Sequence, residues 1–150
     1  MPRSRYPSAV LHELATIPKH VEGDRIIFRE TDKLPSPSRE ARVPLELKSG
    51  RAVLVELIVK VGNLKDVTTY RAALLVDYER IRGVDFCKIE RMSFYKTKIP
   101  KGWHQNIIDL ATGENRHEAL ALDPVVDLDD FVRKVASLWN ISYTEEVTLL

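Results

Sequence analysis

Between Ala41 and Tyr95 the chain passes through strand-length segments joined by connections too short to hold a helix. A parallel pair needs a crossover of a dozen or more residues, so these segments are expected to pair antiparallel, as a meander. Ala41 to Lys48 alternates, with Val43, Leu45 and Leu47 on one face and Arg42, Glu46 and Lys48 on the other. A period of two describes a half-buried strand. Pro44 offers no N–H to a ladder, which predicts an edge position. Ser49-Gly50 is turn chemistry. Arg51 to Val61 is apolar on both parities, as in a central strand, and Gly62-Asn63 is expected to break it. Val67 to Asp77 is a third strand. Tyr78-Glu79 can turn the chain into Arg80 to Ile89, and Glu90 to Tyr95 continues it or pairs back.

Such a sheet needs a cover for its apolar face. Leu128 to Trp139 supplies one. Leu128, Phe131, Val132, Val135, Leu138 and Trp139 form one stripe, with Asp129, Asp130, Arg133, Lys134 and Ser137 opposite. Asp127 is the natural N-cap, and Asn140 can end the helix. A short N-terminal helix is expected from Ser8, as N-cap, to a stop at Pro18. Arg25 to Arg29 is a short strand. Thr31 to Ser38 reads as an exposed loop, Lys98 to Trp103 as another, and residues 1–7 as a flexible tail. His104 to Leu110 and His117 to Leu122 flank Gly113 and predict a hairpin of undetermined register. Ile141 to Leu150 is either a last strand or a loose end. The expected fold is one α+β domain over residues 1–150. It is a curved, mostly antiparallel sheet with a C-terminal amphipathic helix packed on it and a short N-terminal helix.

The 150 residues carry a net charge of +1, so no whole-chain field points to nucleic acid or a membrane. Charge is unevenly spread, however. Seven Lys/Arg lie between Arg80 and Lys101, opposed by Asp85 and Glu90; Asp109 to Asp130 is acidic. Cys87 is alone, which rules out an internal disulfide and a Cys-rich metal site. The longest apolar stretch, Ala52 to Val61, is broken by Glu56 and Lys60, too short for a membrane span. The expected setting is the cytoplasm, without cofactor or metal.

The segment from Phe94 to His117 gathers the chemistry. RNA cleavage without metal needs a base for the 2′-hydroxyl, an acid for the leaving oxygen and a cation over the phosphate. His104 and His117 are the candidate acid and base. Arg82, Lys96, Lys98, Lys101 and Arg116 are candidate phosphate contacts, with Lys98, Lys101 or Arg116 as the clamp. Tyr95 and Trp103 are candidate stacking platforms. Bland readings stand beside these: a solvated basic loop, Trp103 as a lid on the core, and His117 paired with Asp109 across the hairpin. Asp85 shares a strand face with Cys87, itself read as a buried small hydrophobe.

The run from Tyr70 to Ile141 (YRAALLVD, RIRGVDF, GWHQNI and DLDDFVRKVASLWNI) resembles small prokaryotic domains of uncharacterised function found beside toxin–antitoxin-like genes. The resemblance implies a small α+β toxin-like or partner-binding protein and assigns no catalytic residue. Three functions are therefore carried forward. The first is a module that binds a protein partner or itself, through strand edges at Ala41–Lys48 and the C-terminal tail. The second is a toxin-like RNA-binding protein or ribonuclease. The third is a small-molecule or metal-binding domain using the inside of a barrel-like sheet.

Overall fold

The computed structural model describes residues 6–31, 38–48, 53–64, 67–87, 90–92 and 98–150. In chain order the elements are α1 (Ser8–Thr16), β1 (Lys19–Val21), β2 (Ile26–Thr31), β3 (Ser38–Leu47), β4 (Val55–Leu64), β5 (Val67–Val76), β6 (Glu79–Cys87), β7 (Arg91–Met92), β8 (Lys98–Ile99), β9 (Gly102–Ile108), β10 (Asn115–Ala119), α2 (Leu128–Leu138), β11 (Ile141–Ser142) and β12 (Val147–Leu149). Strands β3, β4, β5, β6, β9 and β10 lie side by side, each antiparallel to the next. β7 and β8 leave this run as a two-stranded ribbon whose β8 lies against β10. The sheet is mostly antiparallel and open, as the short connections required.

Residues paired across a register share a face, so the pairings sort every strand into two sides. One side carries Ala41, Val43, Leu45, Val55, Leu57, Val59, Ala72, Leu74, Val84 and Trp103, all buried. Both helices cover it. α1 contributes Leu11, Leu14 and Ala15, and α2 contributes Phe131, Val132, Val135 and Ala136. Each fully buried large side chain contributes about 2 kcal/mol of transfer free energy. Asp127 caps α2, its carboxylate accepting from the Asp130 N–H at 2.8 Å. Just beyond that helix Trp139 donates from Nε1 to Gln105 Oε1 on β9 at 2.8 Å, tying helix to sheet through a buried polar bond. The other side carries Arg42, Glu56, Lys60, Arg71, Asp85 and His104, and no helix lies on it among the described residues.

The structure corrects several expectations. β3 is internal. β4 pairs along one flank, while β1 and then β2 share the other. Pro44 is tolerated because its carbonyl accepts from Glu22 N, which turns its ring nitrogen to that same flank, where β1 has ended and β2 has not begun. The docking edge expected at Ala41–Lys48 is thus occupied. The tail is occupied too, with β11 running parallel to β1 and β12 parallel to β2. These parallel pairs need no local crossover, because nearly the whole chain lies between the partners. The described sheet is open and encloses no barrel interior, and its apolar face is filled by the helices.

Smaller corrections follow. β4 runs through Gly62-Asn63 to Leu64. The turn into β6 is Asp77-Tyr78, both at positive φ, as a two-residue type I′ hairpin requires. Pro7 rather than Ser8 stands at the N-cap of α1, with no side-chain capping bond. Tyr6, placed in a flexible tail, donates to Asp77 Oδ2 at 2.8 Å. Lys98 to Trp103 is not a plain loop but holds β8 and the start of β9. The remainder of the expected tail (1–5) and of the Thr31–Ser38 loop (32–37) lies outside the described residues. No helix among the described residues is long and apolar enough to cross a membrane.

Candidate functional site

The hairpin register places the two histidines. β10 pairs with β9 so that His117 faces Asn106 and Ala119 faces His104. His104 and His117 are therefore diagonal neighbours on one face, and that face is the one without a helix. Their ring centroids are 5.6 Å apart at 68°, an edge-to-face contact. His104 is 4% exposed, and its Nδ1 is buried with no hydrogen-bond partner among the described residues. A buried polar atom left without a partner costs roughly 1–3 kcal/mol, and such atoms call for a reason. His117 is half-buried. Its Nδ1 donates to Asn106 Oδ1, which fixes the ring and its tautomer. The Asp109 pairing considered for His117 is thus replaced by Asn106.

Asn106 has its room because its neighbour across β6 is Gly83. A Cβ at Gly83 would stand 3.3 Å from Asn106 Nδ2 and 3.7 Å from Arg80 Nη1. The amide of Asn106 and the guanidinium of Arg80 thus flank one bare stretch of backbone. Beyond it lies a groove of about 240 Å³ with Ala73 and Gly83 in its floor and Lys60, Arg71 and Arg80 around it. Arg71 pairs with Asp85 at 2.9 Å, and Lys60 reaches Glu40 at 4.0 Å. Exposed pairs of this kind are weak and exchange partners readily. Arg80 makes no ion pair among the described residues. Asp85 is directly opposite His104, so the charged row of the groove continues to the histidine pair.

The other proposed site residues do not join this face. Trp103 is on the core side, its ring 5.4 Å from both Phe86 and Phe131 and its Nε1 donating to Asp123 at 3.1 Å. It is largely buried and lines a cleft with Tyr70, Phe86 and Val125, on the face of the sheet away from the histidines. Arg82 is also on the core side, 5% exposed, and Arg116 follows it across the register through Ile107. Neither arginine can clamp a phosphate held by the histidines. Lys98 is on β8 and pairs with Glu90 at 2.8 Å, a hydrogen bond that raises its pKa. Lys101 is exposed just before β9. Tyr95 and Lys96 lie outside the described residues.

Sequence reasoning missed Lys60, Arg71, Arg80 and Asn106 as members of one surface. A signal was present in Lys60 and Arg71, each a charge set into an otherwise apolar strand. Comparison of the chain with protein-family models, with curated proteins and with solved structures finds no match in any of the three.

Proposed function

We propose that this chain binds single-stranded RNA across the helix-free face of its sheet and cleaves it with the His104–His117 pair. One observation carries the reading: the β6–β9–β10 register sets both histidines on the same face as the Lys60, Arg71 and Arg80 groove. The groove offers cations to successive phosphates, and its floor of small residues lets a backbone approach closely. His117 is held by Asn106 and is the more open of the two rings; its Nε2 is buried, so the ring must turn outward to meet the reacting phosphate. One histidine takes the proton of a 2′-hydroxyl as its oxygen attacks phosphorus. The other gives a proton to the departing 5′-oxygen, leaving a 2′,3′-cyclic phosphate. The edge contact of the rings leaves no gap between them, so the phosphate lies over the pair rather than between its members.

The test uses a labelled single-stranded RNA oligomer in excess EDTA, with detection of the cyclic-phosphate end. His117→Ala and His104→Ala are expected to lose roughly 10²-fold or more of cleavage while melting as cooperatively as the parent. Cleavage at the parental rate by both variants removes the mechanism. Binding is measured against salt. Three phosphate contacts give a log–log slope of about −2 on a single strand, and Arg80→Gln flattens it by about 0.7. Salt-independent binding removes the RNA reading altogether. The resemblance to domains beside toxin–antitoxin-like genes supports the same direction, and a neighbouring gene for a short partner with a DNA-binding N-terminus would strengthen it.

A second reading, self-association, keeps one surface. β10 is hydrogen-bonded as a strand to β9 alone among the described residues, and although β8 lies against it without pairing, its edge is the surface for strand addition by a second copy. A clean monomer by light scattering at high concentration removes that reading.

A further inference from the structure

Arg82 is a buried guanidinium that forms no ion pair with a carboxylate among the described residues. Its Nη1 donates to the Ile81 carbonyl at 2.9 Å, and its Nη2 reaches His12 Nδ1 on α1 at 3.5 Å. A guanidinium has five N–H donors, and desolvating it without an opposite charge is expensive. Burial lowers its pKa, as does the neighbouring Arg116, with only partial relief from Glu118 and Asp109. The group opens on a cleft of about 190 Å³ between α1 and the tip of the β9–β10 hairpin, lined also by Ser8, His12, Asp109, Glu114 and Arg116. Asp109 lines the same cleft and offers Arg82 a distant negative charge, but it forms no ion pair with Arg82 among the described residues, and its Oδ1 accepts from the Ala111 N–H at 2.9 Å. Arg116, largely exposed, leans on Glu118 at 3.6 Å and is free to swing over the opening.

We propose that this cleft, on the opposite side of the sheet from the histidine pair, is a binding site for a small oxyanion, a carboxylate or a phosphate group. The planar fork of Arg82 meets two oxygens from below, and Arg116 closes on the anion from the rim. Such charge-assisted, bidentate contacts are the strong ones. The bound anion supplies the charge that Arg82 lacks, and His12 holds the fork in orientation by accepting from its Nη2. The site is independent of the RNA reading, because none of its residues faces the groove.

The test is nuclear magnetic resonance of the ¹⁵N-labelled chain, following the Arg82 Nε–Hε signal during titration with sodium phosphate and, separately, sodium acetate at fixed ionic strength. A saturable shift at Arg82 is expected with at least one of them; acetate alone would make the ligand a carboxylate, and phosphate alone a phosphate. Arg116→Gln, a surface change that keeps the fold, should weaken the binding roughly tenfold, the loss of one charge-assisted contact. His117→Ala should leave it unchanged, even if RNA cleavage is lost. An Arg82 signal that stays still with both anions overturns the proposal. So does an Arg116→Gln variant that binds as the parent does.

Discussion

Lys19 provides the sharpest test of the core. It stands in β1 on the apolar parity, opposite Leu47 and Ile141, and is 2% exposed. Its Nζ donates to the Leu14 carbonyl at 2.9 Å and the Ile17 carbonyl at 2.7 Å, closing the C-terminal end of α1. Burial lowers its pKa from 10.5 to about 8. The folded value is below the unfolded one, so between these limits the unfolded chain binds more protons and stability rises with pH. A neutral amine keeps enough N–H donors for both carbonyls, so the bonds survive deprotonation. At 1.36 kcal/mol per unit, the full gain is ~3 kcal/mol, of which about 2 kcal/mol falls between pH 7.5 and pH 10. Tyr70 and Tyr143, both pushed up by burial, work the other way above the ordinary phenol value. The lysine is therefore isolated by subtracting Lys19→Met, which loses the amine and its titration together. Urea unfolding at several pH values, followed by the buried Trp103 and Trp139, should show the parent gaining on the variant by about 2 kcal/mol over that range. A difference that stays flat with pH would refute the reasoning, because the amine would then not be held in a desolvated site.

Three further outcomes are expected. Asp127→Ala removes the acceptor for Asp130 N and should cost about 1 kcal/mol in chemical denaturation, with α2 fraying first in hydrogen exchange. Trp139→Phe strands the Gln105 amide oxygen in the core and should cost roughly 1–3 kcal/mol, read from the urea midpoint. Gly83→Ala forces Asn106 away from the strand by a few tenths of an ångström. It should therefore lower RNA cleavage more than it lowers the melting temperature; an unchanged rate would show that Asn106 does not position His117.

The fold was legible where one period dominated. Leu128 to Trp139 has a single apolar stripe and a capping Asp, and α2 follows it to within a residue. β5 was equally plain; the β9–β10 hairpin was expected, but both of its strands begin two residues earlier than the sequence suggests. The failures came from pairings made over long sequence distances. Nothing local to Pro44 says that its bare nitrogen will meet the gap between two different partners. Nothing local to Ile141–Leu150 says that β1 and β2 will leave edges for it to fill. Lys19 was invisible for the same reason, because its carbonyl partners are created by the end of α1. The site was half legible: the two histidines stood out as candidates, but whether they share a face hung on the hairpin register, which only the pairing of β9 with β10 decides.

The cations show why a basic block in sequence is not a basic patch in a sheet. Arg80 and Arg82 are two residues apart, and on a regular strand they would share a face. The β5–β6 register breaks between Leu74 and Leu75, where Leu74 meets Arg82 and Leu75 meets Arg80, so Ile81 is the extra residue of a bulge. That one residue sends Arg80 over Gly83 into the groove and Arg82 under α1 into the cleft. Bulges re-aim side chains at a modest cost in ladder bonds. Here the bulge divides one arginine pair between two surfaces, so each surface must find its remaining charge elsewhere. The groove takes Lys60 and Arg71 from the two preceding strands, β4 and β5, and the cleft takes Arg116 from the hairpin. A ligand common to both surfaces would have to pass through the sheet. The two sites are therefore separable by mutation, and Arg80→Gln should alter RNA binding without moving the Arg82 resonance.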